Sequence, residues 1–330
     1  MERKRETALG EGKKKSSLKK TAHDLGDAVG TAAGSIGKAA VTVGGKAKDA
    51  AVKSKEAVFG AIDQNGNGEI DIEDVIIMGM RVPGVHVDRE AFLRKEFQNK
   101  LPQETIDKAV AFTPLHARIP TQMIDGIANE VIQYERTCVS GISTALGVPG
   151  GVAMVATIPA DIAQYYGYML RAAQKLMYLY GFPAIDLEEK GPTFDSETMN
   201  TLIICMGVMY SVQSANAALK AMAKALATGV EKQLLQKALT KGTIYPIVKS
   251  ISKWFSIHMT KEVFAGFFKK AIPVVGGILG GGITYLSFKP CCERLKASLQ
   301  HTMLSDPNYH VALEEDVIIA DAIDVSEASD

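Results

Sequence analysis

The sequence predicts an all-α protein: a multi-helix bundle with Gly-rich apolar helices, preceded by a helix–loop–helix segment. Three observations predict it. Apolar residues recur at steps of three and four through most of the chain, which places them on one face of a helix. Strand-like alternation is scarce. The apolar fraction, 47% of 330 residues, suffices for a sizeable core.

Charge divides the chain. The formal net charge is zero, yet residues 1–20 hold eight Lys or Arg against three Glu, and residues 314–330 hold seven acids and no base. Both ends read as solvated tails. The basic end also suits an anionic lipid surface, at about 1 kcal/mol per basic side chain near it. No aromatics lie between its lysines for base stacking, which argues against nucleic acid. The expected organisation is a basic tail at 1–20, an amphipathic helix plus loop segment at 21–84, a helical domain at 85–305 and an acidic tail at 306–330. The cysteines, Cys138, Cys205, Cys291 and Cys292, lack metal-like spacing. No apolar run directly follows the basic cluster, so no secretory leader is expected. The expectation is therefore a cytoplasmic chain with free thiols, with peripheral membrane contact as an added reading. If membrane-bound, the Cys291-Cys292 pair would suit acylation.

Residues 21–62 carry a thin helical stripe, Leu25, Val29, Ala32, Ile36, Ala40, Val43, Ala47 and Ala51, weakened by Gly30, Gly34, Gly37, Gly44 and Gly45. Each glycine costs up to about 1 kcal/mol relative to Ala. Such a helix is marginal alone and orders on a membrane or partner; a flexible lead-in fits the same composition.

Residues 63–74, DQNGNGEIDIED, carry the most specific chemistry. A hard cation such as Ca²⁺ takes roughly six to eight oxygens, which a tight loop presents from alternate positions. Asp63, Asn65 and Asn67 would give side-chain oxygens, Glu69 its backbone carbonyl, Asp71 an oxygen directly or through water, and Asp74 would close the loop. Gly68 falls where the chain must turn sharply. The segment resembles an EF-hand calcium loop. The resemblance implies that Ile70 points inward, and that Val58, Phe59 and Ile62 before the loop, and Val75, Ile76, Ile77 and Met78 after it, form helix faces. Asp74 stands where that family has Glu. Its shorter reach weakens Ca²⁺ and leaves Mg²⁺ a competitor. Two Asn ligands lower the loop charge, and no second loop of this pattern accompanies it. An Asn- and Gly-rich turn between helices is the plainer alternative.

Residues 79–136 read as amphipathic helices separated by Pro83-Gly84, Pro102, Pro114 and Pro120. Phe92, Leu93 and Phe97 form one face, and Ile106, Ala109, Val110 and Phe112 the next. Thr121 is expected to N-cap a helix through Ile124, Ile127, Ala128, Val131 and Ile132.

Residues 137–160 carry no charge. The following stretch predicts a helix over 161–180, opened by Pro159 and Asp161. Ile162, Tyr165, Tyr166, Met169, Leu170, Ala173, Leu176, Met177 and Tyr180 share its apolar face, and Arg171 and Lys175 its opposite, polar side. Gly181-Phe182-Pro183 ends it. A glycine-rich run, Gly150 and Gly151, then Ile158-Pro159, Asp161, a long amphipathic helix and Tyr180-Gly181 resembles the signature of the EcsC protein family, over roughly residues 85–305. The resemblance implies a helical fold and a membrane connection. It supplies no reaction.

Two further uncharged runs, 198–219 and 271–288, flank amphipathic stretches with lysines and the aromatics Trp254, Phe255, Phe264, Phe267 and Phe268. Gly276 with Gly280 and Gly277 with Gly281 suit close helix approach. The three runs come near spanning length, about 20 residues. Pro149 and Pro273, the glycines, and Asn200, Gln213 and Asn216 argue against constitutive spans. Buried core and reversible surface insertion remain. No nucleophile elbow or paired-His helix occurs, and Asp161 with Tyr165, Tyr166 and Tyr168 are the only reactive groups near the central helix.

The sequence thus predicts a non-enzymatic calcium-binding regulator acting on an anionic membrane or a protein partner. A helical module enclosing a lipid or other apolar ligand is the alternative, and an enzyme of unrecognised type a third.

Overall fold

The computed structural model describes residues 60–146, 152–185, 196–228, 239, 242, 244–270 and 276–309. The basic tail, the stripe up to residue 59 and the acidic tail from residue 310 lie outside the described residues. The described residues contain helices and no strand, so the fold is all-α as predicted. The helices are α1 (Ile72–Met80), α2 (Arg89–Phe97), α3 (Gln103–Ala111), α4 (Thr121–Leu146), α5 (Val152–Leu179), α6 (Ser196–Met209), α7 (Ala215–Ala227), α8 (Tyr245–Lys270) and α9 (Gly276–Gln300).

Helices α4, α5 and α9 form the centre, each packed on the other two. α4 runs antiparallel to both partners. Asp125 meets Tyr180, just past α5, and Glu135 meets Arg171 of α5, while Asn129 and Arg136 meet Lys296 and Tyr285 of α9. α6 lies on α9, α7 covers α6, and α2 pairs with α3 outside α5. α1 is hydrophobic nearly all round and is enclosed by α5, α6 and α8. Every one of its residues except Glu73 is buried, as expected of a helix without a polar face. The helix leaving the 63–74 loop therefore belongs to the same core as the helices after residue 85.

Punctuation worked largely as read. α5 stops at Gly181, φ +91°, with the Phe182 N–H reaching the Met177 carbonyl at 3.0 Å and the Gly181 N–H reaching that of Tyr178 at 3.3 Å. This is a Schellman closure. Phe92, Leu93, Phe97, Ile106 and Ala109 are buried, but Phe112 is 58% exposed, because α3 has ended before it and its carbonyl turns toward Arg89.

Two expectations are corrected. α5 begins at Val152, not at Pro159. Thr121 is the first residue of α4, not its cap, and the Pro120 carbonyl takes the first helical N–H groups, of Met123 and Ile124. The polar side of α5 is itself buried: Arg171 and Gln174 are buried and Lys175 nearly so, because Glu135 of α4 supplies a buried counter-charge.

Run 198–219 divides between α6 and α7, with Ser211 and Ser214 in the left-handed region. Among the described residues no helix is long and apolar enough to cross a membrane. Trp254 and Phe255 pack in the core; the side chains of Phe264, Phe267 and Phe268 lie outside the described residues, as does that of Asp161. All four cysteines are free thiols. Cys291 and Cys292 are buried, which pushes both thiols above their usual range.

Arg89 ties the periphery together. Its guanidinium donates to the carbonyls of Val110 at 2.7 Å, Phe112 at 2.9 Å and Phe182 at 3.1 Å, capping α3 and the exit of α5 at once. A Lys ammonium is a point charge and cannot span that fork. Arg89→Lys is expected to lower stability by about 1–3 kcal/mol, read as a urea midpoint shift at constant m-value.

Candidate metal centre

The loop follows the helical residues 60–62 and closes at the first turn of α1. Its ends are anchored by apolar burial: Ile62 and Ile72 are buried, and Ile70 packs against the core from the eighth loop position. Between these anchors the backbone reverses at two glycines with positive φ, Gly66 at +72° and Gly68 at +83°. An L side chain at either is strained whatever the free space around it.

The predicted ligands are brought together. Asp63 accepts from the backbone N–H of Gly66 at 2.7 Å and of Gly68 at 3.0 Å. Asn65 and Asn67 each accept from the N–H two residues on, at 3.0 and 2.7 Å. Their amide groups both donate to one oxygen of Asp71, Oδ2, at 3.2 and 2.9 Å. Asp71 uses its other oxygen to N-cap α1, accepting from Glu73 and Asp74, and Asp74 closes a capping box by accepting from the Asp71 N–H. Glu69 is exposed.

Asp74 ties the two ends of the loop together by hydrogen bonds, from a buried position. One of its oxygens takes the N–H of Gln64 at 2.8 Å and of Asn65 at 3.0 Å, and the other that of Asp71. Burial raises its pKa above the usual aspartate range, and the charge of Asp71 adds to the rise against the lowering by these N–H bonds. Among the described residues no Lys or Arg pairs with Asp63, Asp71 or Asp74.

The side-chain oxygens of Asp63, Asn65, Asn67 and Asp74 are turned toward the loop's own donors. Among the described residues no group of three or more His, Cys, Asp or Glu side chains is arranged to hold a metal ion. Cation entry at the loop would exchange the Asn65 and Asn67 amide contacts on Asp71 for metal–oxygen contacts. Arg81, which sequence reasoning passed over, steadies the loop by donating to the Gln64 side chain from the far end of α1. Its signal was only its place just past the helix.

Comparison with protein-family models, with curated proteins and with solved structures gave no match.

Proposed function

We propose that this chain is a non-enzymatic, calcium-binding helical protein that regulates contact with an anionic membrane surface or a protein partner. Its cation would be held by Asp63, Asn65, Asn67, Asp71 and Asp74 with the Glu69 carbonyl, with Mg²⁺ as a competitor. The supporting observation is the convergence of Asn65 and Asn67 on Asp71 inside a loop whose exit helix is fixed in the core. Because α1 cannot swing, Ca²⁺ acts on the other side of the loop. Ordering residues 63–69 would fix the direction in which the chain upstream of Gly60 leaves the bundle, and that chain carries the basic residues at 1–20. A local charge event would thus set the presentation of a distant basic segment. The EcsC-like reading of residues 85–305 belongs to this proposal as the helical body that receives the signal.

Calcium titration with isothermal calorimetry tests the metal. Wild type is expected to give binding heat and a calcium-dependent rise in melting temperature, since a ligand that binds only the folded state stabilises it by mass action. Asp63→Ala is expected to lose both. No heat in either protein would sink the metal. Flotation with anionic liposomes, in calcium and then in chelator, tests the switch. Flotation only with calcium is expected; flotation in both would make the loop purely structural, and flotation in neither would remove the membrane in favour of a protein partner.

A further inference from the structure

The two ends of the central helices differ in character. At one end α9 begins with the glycine-rich stretch 276–282, beside the end of α4 and the start of α5. At the other, where α4 begins and α5 and α9 finish, the turn after α9 folds back over the bundle. Residues 301–308 are held there by Thr302 and Ser305, whose hydroxyls both donate to the Leu299 carbonyl. The Leu304 carbonyl packs so closely on Gly181 that a Cβ there would approach it to 3.0 Å. Under this turn lies a cleft of about 240 Å³.

Its lining is chemically one-sided. An apolar floor comes from Ile119, Ile124, Leu179 and Leu304, and two carboxylates, Asp125 of α4 and Asp306 of the turn after α9, also line it. No Lys or Arg lines it. Asp125 is oriented by Tyr180, whose buried hydroxyl donates to Asp125 Oδ1 at 2.7 Å. Burial, the hydrogen bond and the Asp125 charge together push the Tyr180 phenol well above its usual range, so it remains a donor. Among the described residues nothing donates to the second oxygen, Oδ2. Asp306 accepts from the Asn308 N–H at 2.9 Å, and His301 stands 3.8 Å from its other oxygen. Asp125, His301 and Asp306 do not form a metal-holding group.

We propose that this cleft binds a small organic ammonium ion with a short apolar body, the ammonium seated on Asp125 and the apolar part on the floor. Charge sign, the tyrosine-fixed carboxylate and the apolar floor each select against an anion or a purely polar ligand. The volume is below the roughly 300 Å³ at which drug-sized pockets begin, so the ligand is small.

The test uses full-length protein and two probes of matched shape, benzylammonium and benzyl alcohol, with binding read by ligand-observed NMR and quantified by titration. Benzylammonium is expected to bind at least about tenfold more tightly than benzyl alcohol, because a charge-assisted hydrogen bond to a half-buried carboxylate is lost in the alcohol. Asp125→Asn is expected to reduce benzylammonium affinity by about the same factor and to leave benzyl alcohol unchanged. Equal binding of the two probes to wild type would overturn the proposal, as would undetectable benzylammonium binding or full affinity in a folded Asp125→Asn. The wild-type comparison stands even if that variant fails to fold.

Discussion

Glu135→Ala is expected to lower the stability of the protein by about 3–5 kcal/mol, the cost of stranding charges in an interior. The Glu135 side chain is wholly buried between α4 and α5. Its Oε1 accepts from Arg171 Nε at 3.1 Å and from Lys175 Nζ at 2.6 Å. Those two side chains are only 11% and 15% exposed. Removing the carboxylate leaves two cations facing each other without water. Arg171 keeps the Gly84 carbonyl at 3.2 Å and the Tyr168 ring face at 5.1 Å. Lys175 keeps only the more distant faces of Tyr134 and Phe92, at 5.5 and 5.7 Å, so it is the worse stranded. The measurement is urea unfolding of wild type, Glu135→Ala and the triple variant Glu135→Leu/Arg171→Met/Lys175→Met. Exchanging all three for apolar residues of similar volume is expected to recover most of the loss, since the cluster's net value is small although each member is costly to remove alone. A loss below about 1 kcal/mol for Glu135→Ala would mean that water reaches the cluster.

The same cluster shows where sequence reading stops. Periodicity identified the apolar face of α5 residue by residue, from Ile162 to Tyr180, because each helix records its own face in its spacing. The same rule put Arg171 and Lys175 on the opposite, polar side without saying what that side meets. The rule stops there because α5 is surrounded, and its polar stripe is neutralised by Glu135, 36 residues earlier on another helix. No local pattern encodes that pairing. Gly181 was legible because a left-handed C-terminus leaves a local mark. The start of α5 was not, since a Pro that suits a first turn can also lie further in. The metal loop is the reverse case. Its spacing named Asp63, Asn65, Asn67, Glu69, Asp71 and Asp74, and the structure gathers the side chains of five of them into one turn. Its buried setting could not be read, because it comes from the packing of α1 against α5. The ammonium cleft gave no sequence signal at all: Asp125, Tyr180 and Asp306 come from three distant segments.

That packing of α1 carries the second large effect. α1 packs on α5, and the chain leaving α1 runs along α5 in the same sense: Gly79 meets Gly167, Gly84 meets Arg171, and Val87 meets Gln174. The two glycines let the backbones touch. A Cβ on Gly167 would lie 2.9 Å from the Gly79 carbonyl oxygen and 3.0 Å from a Val85 methyl, and one on Gly79 would lie 2.9 Å from the Gly167 nitrogen. Backbone cannot swing aside as a side-chain tip can. Helix propensity alone says that Gly→Ala in a helix interior stabilises by about 1 kcal/mol. Here the crossing must open instead, and Gly167→Ala is expected to destabilise by about 1–3 kcal/mol. Gly126 and Gly141 of α4 have nothing within 4 Å of an added Cβ, so Gly126→Ala and Gly141→Ala are expected to stabilise by about 0.5–1 kcal/mol. Thermal melts of the three variants decide it. Stabilisation by all three would mean that the α1–α5 contact yields at no cost. The loop's closing residue Asp74 lies on α1 five residues before Gly79, so forcing α1 off α5 moves the end of the proposed cation site. Gly167→Ala is therefore expected to weaken calcium binding without touching a ligand, whereas Gly126→Ala leaves it unchanged.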